Sequence, residues 1–545
     1  MKVTTSKSKN SESFYIAKSF INDKGVSTSV NIRKLGTLKE LIKEHGPTRD
    51  DVMAWARAEA KLETMNYKAE NEAKKVKITF NTDAKIKYDR QAFHRGGYLF
   101  LQSMYYALHI DKICRKLKDK YKFEYDINSI LSDMLYARIL EPSSKRSSYN
   151  IANEFLEKPS YSLHDVYRAL SVLGDECDFI QSEVYKNSHF LGSRNDKILY
   201  YDCTNYYFEI SQEDGCKKYG KSKEHRPNPI VQMGMFMDGD GIPLAFSLFP
   251  GNSNEQTSVK PLEEKILSQF GCQKFIYCSD AGLGAERIRE YNHMGKRAFI
   301  VTQSIKKLKA EERIWALNQC GFKNLSDDMS TDISKLPYDD KGVYYKEIPH
   351  TPKELHQRLI VVYSPKYARY QKTIRGKQIA VTNNDEKANI HDLLDYEKIE
   401  NEALYDGLYA VSTDLLDDKV SDIIHVSEGR WEIEECFRIM KTDFEARPVF
   451  LQKEIRIKAH FLTCFLALIL YRCIEQKMAK RYTCTEILGT IRNMNFATIQ
   501  EQGYIPLYKR TAITDELHQI FGFNTDFQFI TKQEMRNIQK KSKRR

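Results

Sequence analysis

Between Gly97 and Leu191, apolar residues recur at intervals of three and four, the period of a helix with one buried face. The pattern predicts helices over 98–118, 127–140, 144–156 and 163–173, with one more before Leu191. Pro142-Ser143-Ser144 separates two of them and supplies caps. From Lys197 the pattern changes to short apolar runs. Strands are expected over 198–210, 230–237 and 243–249, with a basic loop over 216–229 and a turn at Asp238-Gly239-Asp240-Gly241. A helix (257–270), a strand (274–279), a helix (285–293) and a strand (297–303) follow.

Three antiparallel strands followed by helix, strand, helix, strand is the succession of a ribonuclease H-like fold. Upstream, two alternating runs over 14–35 flank Asn22-Asp23-Lys24-Gly25 and read as a hairpin. A helix over 48–67 follows, with Thr48 as N-cap and Asp50 and Asp51 in its first turn. Residues 75–89 read as strand and linker. Between Ser304 and Asn401 the helical period is lost, short alternating runs appear at 342–348 and 358–363, and 368–379 is very basic. This reads as a mostly β insertion. A strand over 408–412, a helix over 428–450, an apolar helix over 455–477 and a helix over 485–494 complete the chain.

The fold class is therefore α/β, a ribonuclease H-like core interrupted by the insertion. The expected division is 1–74, hairpin plus helix; 75–192, helical and DNA-binding; 193–303, first part of the core; 304–403, insertion; 404–480, second part of the core; 481–545, helices and a basic tail. Arg138, Lys145, Arg146 and Arg168 in the helical part are compatible with a helix-turn-helix reader and with packing alone. Arg33 and Lys34 leave the same choice for the first unit.

Composition adds little. The net charge of +11 over 545 residues favours a polyanionic partner. The 11 cysteines form no CxxC pair, which argues against zinc and for reduced thiols in the cytoplasm. MKVTTSKSKN has no apolar segment of a signal peptide. The longest apolar run, 461–471, falls short of the roughly 20 residues that span a bilayer. No membrane partner is expected.

Three acids stand out by position. Asp202 interrupts the apolar run ILYY, and Asp280 ends the run FIYCS before a glycine-rich turn. A carboxylate in an apolar strand is costly unless it is paired or ligates a metal. On the expected helix, at about 100° per residue, Ile433, Cys436, Phe437, Met440 and Phe444 form a stripe. Glu434 borders it, with Arg430, Arg438 and Lys441 on the same side. Alone, such a helix is more often a solvated salt-bridge ladder. With two strand aspartates it makes a three-carboxylate site, and oxygen-only ligation suits Mg²⁺ or Mn²⁺.

These residues give the chain a family likeness. It resembles DDE-type insertion-sequence transposases, in the bacterial branch with the signature Tyr-x2-Arg-x3-Glu-x6-Lys. Arg430, Glu434 and Lys441 match that spacing, while Ser427 occupies the tyrosine position, so the tyrosine's role is not carried over. The likeness extends to DCTNYYF from Asp202, GKSKEHRPNPIVQMG from Gly220, PLAFSLFPGNSNE from Pro243, SDAGL from Ser279 and YDGLYAVST from Tyr405. It implies the same fold and an insertion domain before the glutamate helix.

The resemblance implies cleavage and joining of DNA at the ends of an insertion sequence. Two Mg²⁺ ions (or Mn²⁺) would be held by Asp202, Asp280 and Glu434, with Asp202 shared between them. Arg430 and Lys441 are the expected phosphate clamps, with Arg438 beside them. The resemblance places the loop carrying His225 and Arg226 near the site as DNA contacts; a solvated basic loop is the alternative. Joining two ends needs two active sites, so a homodimer on terminal inverted repeats and target DNA is expected, in the cytoplasm of a bacterium. The alternatives are a ribonuclease H-fold nuclease without strand transfer and a non-catalytic DNA-binding derivative. A carboxylate-pair glycosidase suits this basic chain poorly.

Overall fold

The computed structural model describes residues 1–9, 11–21, 27–73, 76–78, 82–83, 85, 88, 91–383, 396–499 and 502–544. The expected turn at 22–25 and most of the expected linker at 75–89 lie outside them. The described chain forms two compact units, Met1–Arg90 and Gln91–Arg545.

In the first unit, β1 (Lys2–Ser8), β2 (Ser11–Ile21) and β3 (Ser27–Thr37) form an antiparallel meander. The expected hairpin thus gains a third strand, β1, whose sequence KVTTSKS carries almost no apolar signal. Helices Leu38–His45 and Arg49–Ala73 cover the sheet's apolar side through Phe14, Leu41, Val52 and Ala56. Thr48 and Asp51 cap the second helix reciprocally: the Thr48 N–H reaches Asp51 Oδ2 at 3.0 Å and the Asp51 N–H reaches Thr48 Oγ1 at 3.2 Å. Arg33, offered above to DNA, is paired with Glu59 at 3.3 Å.

The second unit begins with β4 (Phe93–Arg95) and six helices: Tyr98–Ala107, Ile110–Tyr121, Ile127–Leu140, Lys145–Ala152, Leu163–Asp175 and Cys177–Ser188. The single helix expected over 98–118 is two, because His109 takes a left-handed φ of 53° between them. Apolar spacing alone does not register such a break. Arg138 and Lys145 are buried, at 2% and 5% exposure. The Arg138 guanidinium donates to the Phe444 and Ser143 carbonyls at 3.1 and 2.8 Å. These two cations serve the interior, and neither is available to read DNA.

Next come β5 (Ile198–Tyr207), β6 (Ile230–Asp238) and β7 (Pro243–Pro250), then the helix Glu255–Lys265 with a π turn over Ile266–Phe270. β8 (Ile276–Ser279), the helix Glu286–Asn292 and β9 (Ala298–Gln303) follow. β5, β6 and β7 are antiparallel, whereas β8 and β9 run parallel to β5. The order β7-β6-β5-β8-β9 is that of a ribonuclease H-like sheet. The insertion contributes β10 (Phe322–Asn324), β11 (Ser330–Thr331), β12 (Tyr344–His350) and β13 (Gln357–Tyr363), and β14 (Leu408–Thr413) returns from it. These strands do not stand apart. β14 pairs with β9, so all ten form one sheet, β11-β10-β12-β13-β14-β9-β8-β5-β6-β7. The very basic 368–379 lies in a helix, Pro365–Asn383.

Successive strand residues point to opposite faces, and each face has its own core. Tyr200, Tyr206, Met235, Met237, Cys278 and Ile300 belong to one. Leu199, Tyr201, Cys203, Phe236, Tyr277 and Phe299 belong to the other. The first face is covered by the helices Val420–Glu428 and Trp431–Thr442 and by the long helix Glu454–Lys477. That last helix is long and apolar enough to cross a membrane, but 94% of its most apolar window is buried inside the protein. It packs on the helices Ile127–Leu140 and Leu163–Asp175. The C-terminal part, expected to be helical, also carries β15 (Asn495–Ile499), β16 (Gly503–Pro506) and β17 (Ile530–Thr531). With β4 they form a second sheet, β17-β16-β15-β4, which ties the two ends of this unit together. The helices Cys484–Asn493, Ala512–Phe521 and Lys532–Ser542 complete it.

Two helical glycines make opposite predictions. A Cβ on Gly174 would lie 2.0 Å from the Ile455 carbonyl oxygen, whereas one on Gly489 meets nothing within 4 Å. Alanine gains about 1 kcal/mol over glycine in a helix. Overpacking against a backbone atom costs about 1–3 kcal/mol or more. Gly489→Ala should therefore raise the unfolding midpoint in calorimetry, and Gly174→Ala should lower it.

Candidate active site

The two aspartates are aligned by strand register. β5 and β8 are parallel, and Tyr200 pairs with Cys278. Asp202 and Asp280 each lie two residues further on, at the same level and on the same face. Asp202 remains within β5, while Asp280 follows the last residue of β8. One oxygen of Asp202 accepts the Cys203 N–H at 2.7 Å. One oxygen of Asp280 accepts the Leu283 N–H at 2.9 Å, closing the turn of SDAGLG. Gly284 in that turn has no room for a side chain, since a Cβ would lie 1.9 Å from Val301 Cγ1.

The helix that carries Glu434, itself exposed, covers the same face. It packs on β5 and β6: the Tyr206 hydroxyl lies 3.8 Å from Met440 Sδ, and Cys436 Sγ lies 3.7 Å from Met237 Sδ. The helix expected over 428–450 is in fact broken. Val420–Glu428 ends at Gly429, Trp431–Thr442 begins after Arg430, and the chain leaves the helix before Phe444 and Glu445. The break lies over Tyr200, whose hydroxyl donates to the Val426 carbonyl at 2.9 Å. A Cβ on Gly429 would lie 2.3 Å from that hydroxyl. Three groups fix the chain after the helix. Arg492 donates to the Asp443 carbonyl at 2.7 Å, Arg138 donates to Phe444, and the His460 ring lies 3.0 Å from the Ala446 carbonyl.

Electrostatics join the two aspartates directly and tie Glu434 to them only through Arg430. Burial pushes Asp202 up to about 6, and the Asp280 charge adds to this, while Lys223, the Cys203 N–H and Arg430 oppose it. Arg430 is also bound to Glu434, Nη1 to Oε1 at 3.0 Å. Lys441 is pushed down to about 8 by burial and then by Lys223, with Asp202 acting against both. Asp202, Asp280, Arg430 and Lys441 thus interact as one group, to which Glu434 is attached by its ion pair with Arg430. The other three residues named from sequence sit differently. Arg438 is committed to Glu435 and Asp443, at 3.5 and 3.4 Å. His225 is exposed, in left-handed backbone with φ 54°. Arg226 lies 4.3 Å over the Tyr207 ring.

Lys223 was not singled out from sequence. Its ammonium donates to the Cys203 carbonyl, beside Asp202, and lies 3.4 Å from Glu255 Oε1. Burial works against its charge, but Asp202 and Glu255 outweigh that and raise its pKa. The signal for it was Asn205, a buried amide in an apolar strand. Asn205 Nδ2 donates to the Lys221 carbonyl at 3.1 Å, and its Oδ1 accepts the Lys223 N–H at 3.3 Å, pinning the basic loop to β5. Elsewhere, Asp515, His518 and Asp526 hold ligand-type atoms within 4.8 Å of one another. Arg510 already bonds both acids, at 2.6 and 3.3 Å, and the His518 ring accepts the Thr525 N–H at 3.2 Å.

A family model described as a transposase DDE domain matches residues 198–470 of the chain. No curated protein matches it. Among solved structures, a piggyBac transposase synaptic complex with hairpin DNA is 8% identical, with a TM-score of 0.38, over 81% of this chain and 88% of that one. A Mos1 transposase paired-end complex with left transposon end is 16% identical, with a TM-score of 0.14, over 47% and 68% of the respective chains.

Proposed function

The chain belongs to the DDE-domain transposase family, and from that premise we propose that Asp202, Asp280 and Glu434 are its catalytic carboxylates. Members of this family use divalent metal ions to act on DNA. The reading is carried by the register of β5 and β8, which brings two aspartates to one level beneath the glutamate's helix.

The donor set fits such ions. All three groups offer oxygen, which hard cations prefer. One oxygen of each aspartate is fixed by a backbone N–H, which leaves the other for a cation. Burial already disfavours the lone negative charge on Asp202. Two Mg²⁺ or Mn²⁺ ions held by these residues would activate the attacking water or 3′-hydroxyl and relieve charge at the scissile phosphate.

The remaining residues position and neutralise. Arg430 holds Glu434 one helical turn away and presents a second positive edge to the same space. Lys223 and Lys441 bring ammonium groups whose charges both reach Asp202. They serve as contacts for the phosphates flanking the cut. The substrate is then double-stranded DNA at the terminal inverted repeats of an insertion sequence, and target DNA. Two ends require two active sites, so the working form is a homodimer.

The test uses the purified protein, Mg²⁺ and a plasmid carrying the gene with its flanking DNA. The expected result is cleavage at inverted repeats outside the gene and joined strand-transfer product, both lost with EDTA. Hydrolysis without joined product would favour a nuclease. DNA binding with no cleavage in any divalent metal would leave a non-catalytic DNA-binding protein. Light scattering on the end-DNA complex should give two protein chains; a strict monomer there would remove the dimer.

A further inference from the structure

We propose that Glu224 occupies, in the DNA-free protein, the place of a DNA backbone phosphate, and that Lys441 and Arg447 form the subsite that takes this phosphate. The inference rests on the reading of the chain as a DNA transposase and deepens it.

Glu224 bridges Lys441 and Arg447 with separate oxygens, and Arg226 Nε lies 3.9 Å from Oε2 as well. Oε1 lies 3.3 Å from Lys441 Nζ, and Oε2 contacts Arg447 Nη1. A phosphodiester presents the same single negative charge on two oxygens, and an arginine–lysine pair accepts either anion. The setting distinguishes this from an ordinary surface ion pair. Both cations are mostly covered, with side-chain exposures of 14% and 22%. They flank β5, Lys441 Nζ lying 5.5 Å over the Tyr206 ring and Arg447 5.9 Å over the Tyr207 ring. Lys441 is two turns along the helix from Glu434. Lys441 therefore stands on the face of β5 that carries Tyr206 and Asp202, with Arg447 beside the adjoining Tyr207.

Arg447 follows the turn fixed by Arg138, Arg492 and His460. Glu224 follows Lys221 and Lys223, which Asn205 holds to β5, and its own N–H reaches Ser222 Oγ at 3.3 Å, so the side chain alone would turn away. It is the one acid in KSKEHR, and Lys221, Lys223, His225 and Arg226 around it are all exposed. An incoming phosphate would thus displace the loop's carboxylate and leave the cations in place. Without any anion, two half-buried like charges would face each other, a cost that Glu224 removes until DNA arrives.

The test compares wild type, Glu224→Gln and Glu224→Gln/Arg447→Ala. Binding of a labelled duplex of arbitrary sequence is followed by fluorescence anisotropy across a salt series, since backbone contacts are sequence-independent. Glu224→Gln should bind several-fold more tightly. Its log K against log[salt] slope should steepen by about 1, the increment of one further phosphate contact. The added Arg447→Ala should cancel the gain. Unchanged or weaker binding by Glu224→Gln, or a gain that survives Arg447→Ala, would overturn the proposal. Thermal unfolding supplies a readout without DNA. Glu224→Gln should melt lower in chloride and recover more than wild type on adding inorganic phosphate; equal response to phosphate counts against the subsite. If no form binds duplex, the DNA reading itself fails, and the phosphate recovery still decides whether an anion site exists.

Discussion

Asp202→Ala is expected to reduce strand cleavage at least about a thousandfold while leaving binding of end DNA within a few-fold of wild type. Losing a shared metal ligand forfeits several kcal/mol of charge stabilisation at the scissile phosphate, and each 1.36 kcal/mol is tenfold in rate. Binding should persist because the cations facing the phosphates come from other elements: Lys223 from the loop, Arg430 and Lys441 from the glutamate's helix and its start. Stability should move the opposite way. The Asp202 carboxyl is raised from 3.8 to about 6 by burial. The folded state therefore holds this proton more tightly than the unfolded chain. The associated stability is fully present below about pH 4 and is lost as pH rises through about 6. In EDTA at pH 8, Asp202→Asn should accordingly be more stable than wild type, by on the order of 2 kcal/mol. That advantage should vanish at pH 4. Cleavage by Asp202→Ala within tenfold of wild type would sink the catalytic assignment; a destabilised Asp202→Asn at pH 8 would sink the account of its burial.

The sequence made the site's parts legible and hid how they join. Short continuous apolar runs located β5 and β8, and an acid interrupting such a run is a conspicuous cost. The pairing of Tyr200 with Cys278 is a tertiary fact, and no local pattern encodes it. The break at Gly429-Arg430 falls at the very start of the helix expected from Glu428, and the helix Val420–Glu428 before it was not expected; its buried positions are out of phase with Ile433, Cys436, Phe437 and Met440. β1 escaped for another reason. Its Thr, Ser and Lys side chains give no burial signal, and backbone pairing with β2 makes it a strand. Arg138 and Lys145 look like DNA contacts because arginine and lysine are rarely buried. Arg138 is buried here because its guanidinium satisfies carbonyls of the turn beyond the Glu434 helix. For Lys145 the structure gives no comparable partner among the described residues. The insertion was visible as a change of period, but its strands could not be seen to extend the central sheet, since β14 must first pair with β9.

Gly429→Ala should lower cleavage by about a hundredfold, and Tyr200→Phe should restore much of that loss. The backbone at Gly429 has φ −60°, which any residue adopts, so the penalty is one of contact. The new Cβ would lie 2.3 Å from the Tyr200 hydroxyl, in a ring only 4% exposed, so the ring cannot swing into solvent. The helix carrying Arg430 and Glu434 must then lift from β5, and a displacement of about 1 Å at reacting groups costs about 10²-fold. Removing the hydroxyl opens most of the needed space, leaving the ring carbon at 3.0 Å, still tight. Tyr200→Phe alone forfeits the hydrogen bond to the Val426 carbonyl, about 1 kcal/mol, and should remain nearly as active as wild type. The double variant should therefore be more active than Gly429→Ala, a coupling that only direct contact produces. Glycine at 429 is then needed because the glutamate's helix must rest against the strand that carries Asp202. Gly429→Ala cleaving within twofold of wild type, or gaining nothing from Tyr200→Phe, would show that the distance between helix and strand does not set the geometry of the carboxylates.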